Sequence, residues 1–169
     1  MQRRRLLKLG LGAAVVIGMA GAGLALIKPG LVDNKLSPGS RELMRAAAQA
    51  VLADLLPPAG AAREAALDAQ LVRLDAFIAG MPAATRKELS DALGLLGTAA
   101  GRYALVGLSK PWFEATVQDV QQALDAMRLS SSNTRQQVYH ALRDLNAIAF
   151  FTEPANWQAA GYPGQREIP

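Results

Sequence analysis

The chain has 169 residues, a hydrophobic fraction of 51%, an aromatic fraction of 5% and a net charge of +4. Arg3, Arg4, Arg5 and Lys8 account for the whole excess, so the rest is formally neutral and lacks the basic stripe that phosphate binding needs, which argues against a nucleic-acid partner. The absence of cysteine excludes disulfides, thiolate metal sites, iron–sulfur clusters and covalent c-type haem attachment.

The first element is a leader. Gln2-Arg3-Arg4-Arg5-Leu6-Leu7-Lys8 resembles the twin-arginine export motif, with Arg3 and Arg4 as the pair and Leu6, Leu7 and Lys8 completing it. Gln2 and Leu6 are modest departures, standing where that motif has a hydroxyl residue and Phe. A glycine-diluted apolar run follows from Leu9 to Ile27. Its alternatives are an ordinary secretory signal and a plain membrane anchor. Ala20-Gly21-Ala22 offers a small-residue cleavage site, with Ala20 and Ala22 in the positions that count. Uncleaved, the run as a helix would reach about 28 Å, close to the thickness of a bilayer core. The expected location is the periplasm, free or anchored to the periplasmic face of the cytoplasmic membrane.

Residues 28–40 hold two Pro-Gly pairs and read as a linker, and residues 41–169 as a single helical domain. Leader and body together make the expected division 1–27, 28–40 and 41–169. Ala and Leu dominate the body, and both favour helix. A first helix is expected from Arg41 to Leu56, N-capped by Ser40 and ended by Pro57-Pro58, with Leu43, Ala47, Val51 and Leu55 on one stripe. A second spans about Ala62 to Ala79, with Leu67, Leu71, Leu74 and Ile78 buried. A third runs from about Pro82 to Ala104, with Leu89, Leu93, Leu96 and Ala100 inward. Its Gly94, Gly97 and Gly101 cost helix stability and predict close approach by a neighbouring helix.

A fourth helix is expected from Ser109-Lys110-Pro111 onward, with Trp112, Phe113, Thr116, Val117, Val120, Leu124 and Met127 apolar. Ser130 to Asn133 breaks the chain. A fifth helix runs from about Thr134 to Phe151 on the stripe Val138, Leu142, Leu145 and Ala149. Glu153-Pro154 then begins a short turn, and the chain closes in an irregular tail. The fold class is all-α, a small bundle of about five helices after the N-terminal signal or anchor helix.

Catalytic chemistry is sparse. His140 is the single histidine, and Asp144 lies one helical turn away, a spacing that could orient a general base. The weightier reading is a surface or half-buried histidine beside a carboxylate. A stand-alone periplasmic enzyme using His140 stays as an alternative. No Gly-x-Ser-x-Gly elbow, phosphate loop or paired Glu-x-x-His motif is present. No catalytic, cofactor-binding or metal-ligating residue is assigned.

Twin-arginine cargo crosses the membrane folded, and it is commonly an enzyme loaded with its cofactor beforehand. A chain with this signal and no evident cofactor site suits a subunit that exports a leaderless partner. Phe150, Phe151, Trp157 and Tyr162 gather near the end of an otherwise aromatic-poor sequence, where they either close the bundle or anchor an interface.

The stretch from Gln137-Val138-Tyr139 to Gly164, above all Glu153-Pro154, Trp157 and Gly161-Tyr162-Pro163-Gly164, resembles the gluconate 2-dehydrogenase subunit 3-like proteins. These are the small, or gamma, subunits of membrane-associated FAD-dependent dehydrogenases. The middle of the chain is similar only in helical texture. The resemblance implies a non-catalytic small subunit that holds no cofactor itself. It would escort a leaderless flavoprotein of the glucose–methanol–choline type through the twin-arginine translocase, with FAD in that partner. A c-type cytochrome subunit often takes the electrons onward. Tyr139, Trp157, Gly161, Tyr162, Pro163 and Gly164 are the expected partner contacts. Some relatives carry cysteines; this chain has none, so an intersubunit disulfide is excluded. A membrane-tethered periplasmic scaffold or binding module without a redox partner remains the other alternative.

Overall fold

The computed structural model describes residues 27–162. The leader residues Arg3, Arg4, Leu6, Leu7, Lys8, Ala20 and Ala22 lie outside the described residues, as do Pro163 and Gly164. The fold is all-α apart from one small hairpin.

That hairpin is the first departure from expectation. Residues 28–40, read as a linker, are folded. Strands β1 (Leu31–Val32) and β2 (Lys35–Leu36) pair antiparallel, Leu31 opposite Leu36 and Val32 opposite Lys35. Asp33 and Asn34 make the two-residue turn with φ of 50° and 62°, left-handed conformations that their short polar side chains tolerate. Ser37, not Ser40, caps helix α1 (Pro38–Val51), and Pro38 occupies its first turn, where a missing N–H costs nothing. Ser40 is buried inside the helix instead.

Helix α1 is central. It touches α2 (Ala61–Ala79), α3 (Ala83–Gly97), α4 (Val117–Arg128) and α5 (Asn133–Phe151). Contact on several sides explains its small buried residues, Ala46, Ala47, Ala48 and Ala50, beside Leu43 and Met44. Larger side chains there would hold its neighbours apart. The helix stops at Val51 rather than Leu56, and the turn that follows tucks Leu52 and Leu56 against Leu67 and Phe150 in a second, smaller cluster. The main core joins the other faces through Leu74, Ile78, Val120, Met127 and Leu142. Each such side chain contributes about 2 kcal/mol on removal from water.

The third expected helix is divided. α3 ends at Gly97, and Thr98 adopts an extended backbone and caps a new turn at Ala99–Gly101. That turn passes into a π-helix, Arg102–Val106, closed by Gly107 at φ 82°. Ala100, expected inward, is exposed. Close approach holds at one of the three glycines, and its neighbour is extended chain: a Cβ on Gly94 would lie 2.5 Å from the Lys28 carbonyl oxygen. Gly97 faces open space, and Gly101 packs on its own chain at Leu95.

The fourth helix also begins later than expected. Pro111 starts a turn that buries Trp112, whose indole donates 3.0 Å to the Leu96 carbonyl, and leaves Phe113 exposed. Thr116, expected on the apolar face, is the N-cap of α4, in a reciprocal capping box with Asp119. Ser132 caps α5. Among the described residues no helix is long and apolar enough to cross a membrane.

Candidate functional site

The C-terminal turn is built by satisfying the end of α5. A helix terminus leaves carbonyls without intrahelical partners. Here three side chains supply donors: Thr152 to the Ala149 carbonyl at 2.8 Å, Asn156 to Phe150 at 2.8 Å and Trp157 Nε1 to Phe151 at 2.9 Å. Glu153 accepts from the Ala155 N–H and starts the 3-10 turn Pro154–Asn156, and a second such turn follows at Gln158–Ala160. Gly161 closes the structure at φ 74°, a conformation that disfavours a side chain. It returns the Tyr162 N–H to the Trp157 carbonyl at 2.9 Å.

The result brings Trp157 and Tyr162 together edge to face, their ring centroids 5.7 Å apart. The aromatics at this end divide by role. Phe150 is buried and closes the small core cluster. Phe151 and Tyr162 are 39% and 52% exposed, and Trp157 is half-buried. Phe151 meets Phe150 edge-on at 5.3 Å, so this exposed ring stands on a buried one.

Tyr139 is not part of this group. It lies on α5 about 18 Å before Phe151 along the helix axis. There it packs edge-on against His140 at 5.1 Å, with the Arg143 guanidinium 5.8 Å from its ring centroid. The His140–Asp144 pairing does not form. Asp144 accepts from Arg143 Nε at 2.8 Å, and this bond raises the Arg143 pKa. His140 is exposed and lines neither the groove beside Lys110 nor the groove beside Ile27. Among the described residues no cluster of three or more His, Asp or Glu side chains is placed to hold a metal ion.

Two polar features were not foreseen. Gln70 and Asn146, both fully buried, tie α2 to α5: Gln70 Nε2 donates to the Asn146 carbonyl at 2.9 Å, and Arg73 donates to Gln70 Oε1 at 3.0 Å. Desolvation lowers the Arg73 pKa, and the charge of Glu153 opposes that shift. The available signal was a polar residue inside an apolar stripe, Gln70 between Leu67 and Leu74. The second feature lies beside Lys110. Asp119 is drawn down to about 2, first by the hydrogen bond from Lys110 at 2.8 Å and then by those from Thr116.

Comparison of the chain with protein-family models, curated proteins and solved structures gave no significant match.

Proposed function

We propose that this chain is the non-catalytic small subunit of an exported flavin-dependent dehydrogenase. It escorts a leaderless catalytic partner of the glucose–methanol–choline type through the twin-arginine translocase and stabilises it in the periplasm. FAD belongs to the partner, and a c-type cytochrome subunit is a further candidate member of the complex. The observation that carries this reading is the C-terminal turn. Residues Glu153 to Tyr162, which bear much of the family resemblance, form a built turn that packs Trp157 against the exposed Tyr162, and the exposed Phe151 stands just before it. Rigid aromatic rings presented at low entropic cost suit a protein interface.

Two alternatives differ in chemistry. In an enzyme using His140, that residue needs an orienting carboxylate and a pocket, and Asp144 is engaged with Arg143. A tethered scaffold would have the same turn without a flavoprotein on it. One experiment separates all three. The full chain, tagged at its C-terminus, is recovered from its native cell, and co-purifying flavin is measured. The expected result is stoichiometric flavin with the chain in the periplasmic fraction, and the same complex held in the cytoplasm when Arg3 and Arg4 are both changed to Lys. A flavoprotein that still reaches the periplasm with that variant would sink the escort reading. Chain recovered without any flavoprotein favours the scaffold, and substrate turnover by the chain alone, abolished by His140→Ala, favours the enzyme.

A further inference from the structure

The groove beside the N-terminal hairpin has a volume of about 560 Å³. Ile27, Pro29, Val32, Pro38 and Leu93 form much of its wall, and Lys28 is the one charged residue among the described residues that line it. Among the described residues no carboxylate lines it. Val32 is 54% exposed although it is a large apolar residue. The hairpin tip adds Asp33 and Lys35, whose charges offset each other.

The path of the chain gives this surface its meaning. In the sequence the apolar run Leu9–Ile27 stops at the wall of the groove. From Lys28 onward the backbone is fastened to α3. The Gly30 N–H donates to the Ser90 carbonyl at 2.9 Å, the Leu31 N–H to Ser90 Oγ at 3.0 Å, and Gly94 leaves room for the Lys28 carbonyl. Only about 10 Å of extended chain separates Ile27 from the first of these bonds. Ile27 is thus both the end of the apolar run and part of the groove wall.

We propose that this face of the body seats on a lipid bilayer, with Ile27 and Val32 at the acyl boundary and Lys28 among anionic headgroups. An apolar groove wall carrying Lys28, beside a hairpin tip whose two charges cancel, matches that environment in polarity and in charge. The proposal rests on the reading that the chain works at the outer face of the cytoplasmic membrane, and not on the flavoprotein. The body is then held directly against the membrane, in one orientation.

The absence of cysteine makes the test direct. Full chain with Val32→Cys, and separately with Leu129→Cys, is labelled with a fluorophore and mixed with phosphatidylglycerol–phosphatidylethanolamine vesicles containing a nitroxide lipid. Leu129 is 73% exposed and follows α4, which packs on α1, α5 and the π-helix. Quenching at position 32 is expected to exceed that at position 129 at least threefold. Equal quenching at both sites, or none at position 32, overturns the proposal. A concentration-dependent shift of the position-32 label without vesicles also overturns it, because a second copy then covers the groove. Loss of flavoprotein from the complex leaves the label response unchanged, so the two readings fail separately.

Discussion

The two ends of the described chain are attached in different ways. The N-terminal hairpin is held by bonds to distant residues. The Leu36 N–H donates 2.8 Å to Asp75, Arg41 pairs with the same carboxylate at 2.6 Å, and Gly30 and Leu31 donate to Ser90. The C-terminal turn is held by bonds within its own neighbourhood, from Thr152, Asn156 and Trp157 back to the last carbonyls of α5. The first arrangement is part of the fold. The second is an appendage, shaped locally and free to present its aromatic rings. Changes at the first should cost stability, and changes at the second should cost association.

The largest effect is expected at Gly30. A Cβ there would meet Leu93 Cβ at 2.5 Å and the Ser90 carbonyl at 2.6 Å. Gly30→Ala should lower the unfolding free energy by about 3 kcal/mol in urea titrations, by driving α3 away from the hairpin. A near-neutral result would mean that the hairpin is loosely attached after all.

Asp75 comes next. Asp75→Ala removes the acceptor for both the Leu36 N–H and Arg41 and should cost about 2 kcal/mol. Asp75→Asn keeps one acceptor oxygen and should recover about half of that loss. Equal losses for the two variants would show that the charge on Arg41, rather than the Leu36 bond, dominates.

Asp119 lies between the two extremes, a local cap on a core helix. Its folded-state pKa of about 2 is below its ordinary value of 3.8. The stabilisation is therefore present above the ordinary value and is lost as pH falls through about 2. Acid unfolding followed by circular dichroism should be shallower between those values for Asp119→Asn than for the parent chain. A side-chain titration midpoint near 3.8 would contradict the Lys110 and Thr116 contacts.

The smallest stability effect is expected at the C-terminal turn. Trp157→Ala combined with Tyr162→Ala should shift the unfolding free energy by less than about 1 kcal/mol, because both rings lie outside the core. The same pair should reduce flavoprotein recovery about tenfold, as expected for interface anchors. Strong destabilisation with undiminished recovery would reverse the comparison between the two ends.

Much of the helical frame was legible in the residues themselves. Leu67, Leu71, Leu74 and Ile78 on α2, and Val120, Leu124 and Met127 on α4, are buried as their spacing requires. The aromatic site was half legible. Trp157, Gly161 and Tyr162 do come together, while Tyr139 belongs to a different part of α5. The hairpin was missed because two-residue strands are too short to display a period. The break at Thr98 was missed because Leu89, Leu93 and Leu96 continue smoothly toward Ala100 on an ideal helix. The delayed start of α4 was hidden by Trp112, which is apolar and buried but donates its indole N–H to α3 from a turn.

By itself the sequence determined an all-α body with known apolar faces, and a positive excess confined to Arg3, Arg4, Arg5 and Lys8. Those properties depend on each residue and its neighbours one turn away. Tertiary structure decided that residues 28–40 are folded, that Gln70 meets Asn146 across two helices, and that Phe151 and Tyr162 face outward while Phe150 does not. These outcomes depend on how separate helices dock. Docking is set by side chains far apart in the chain, to which the periodicity of any single helix is blind.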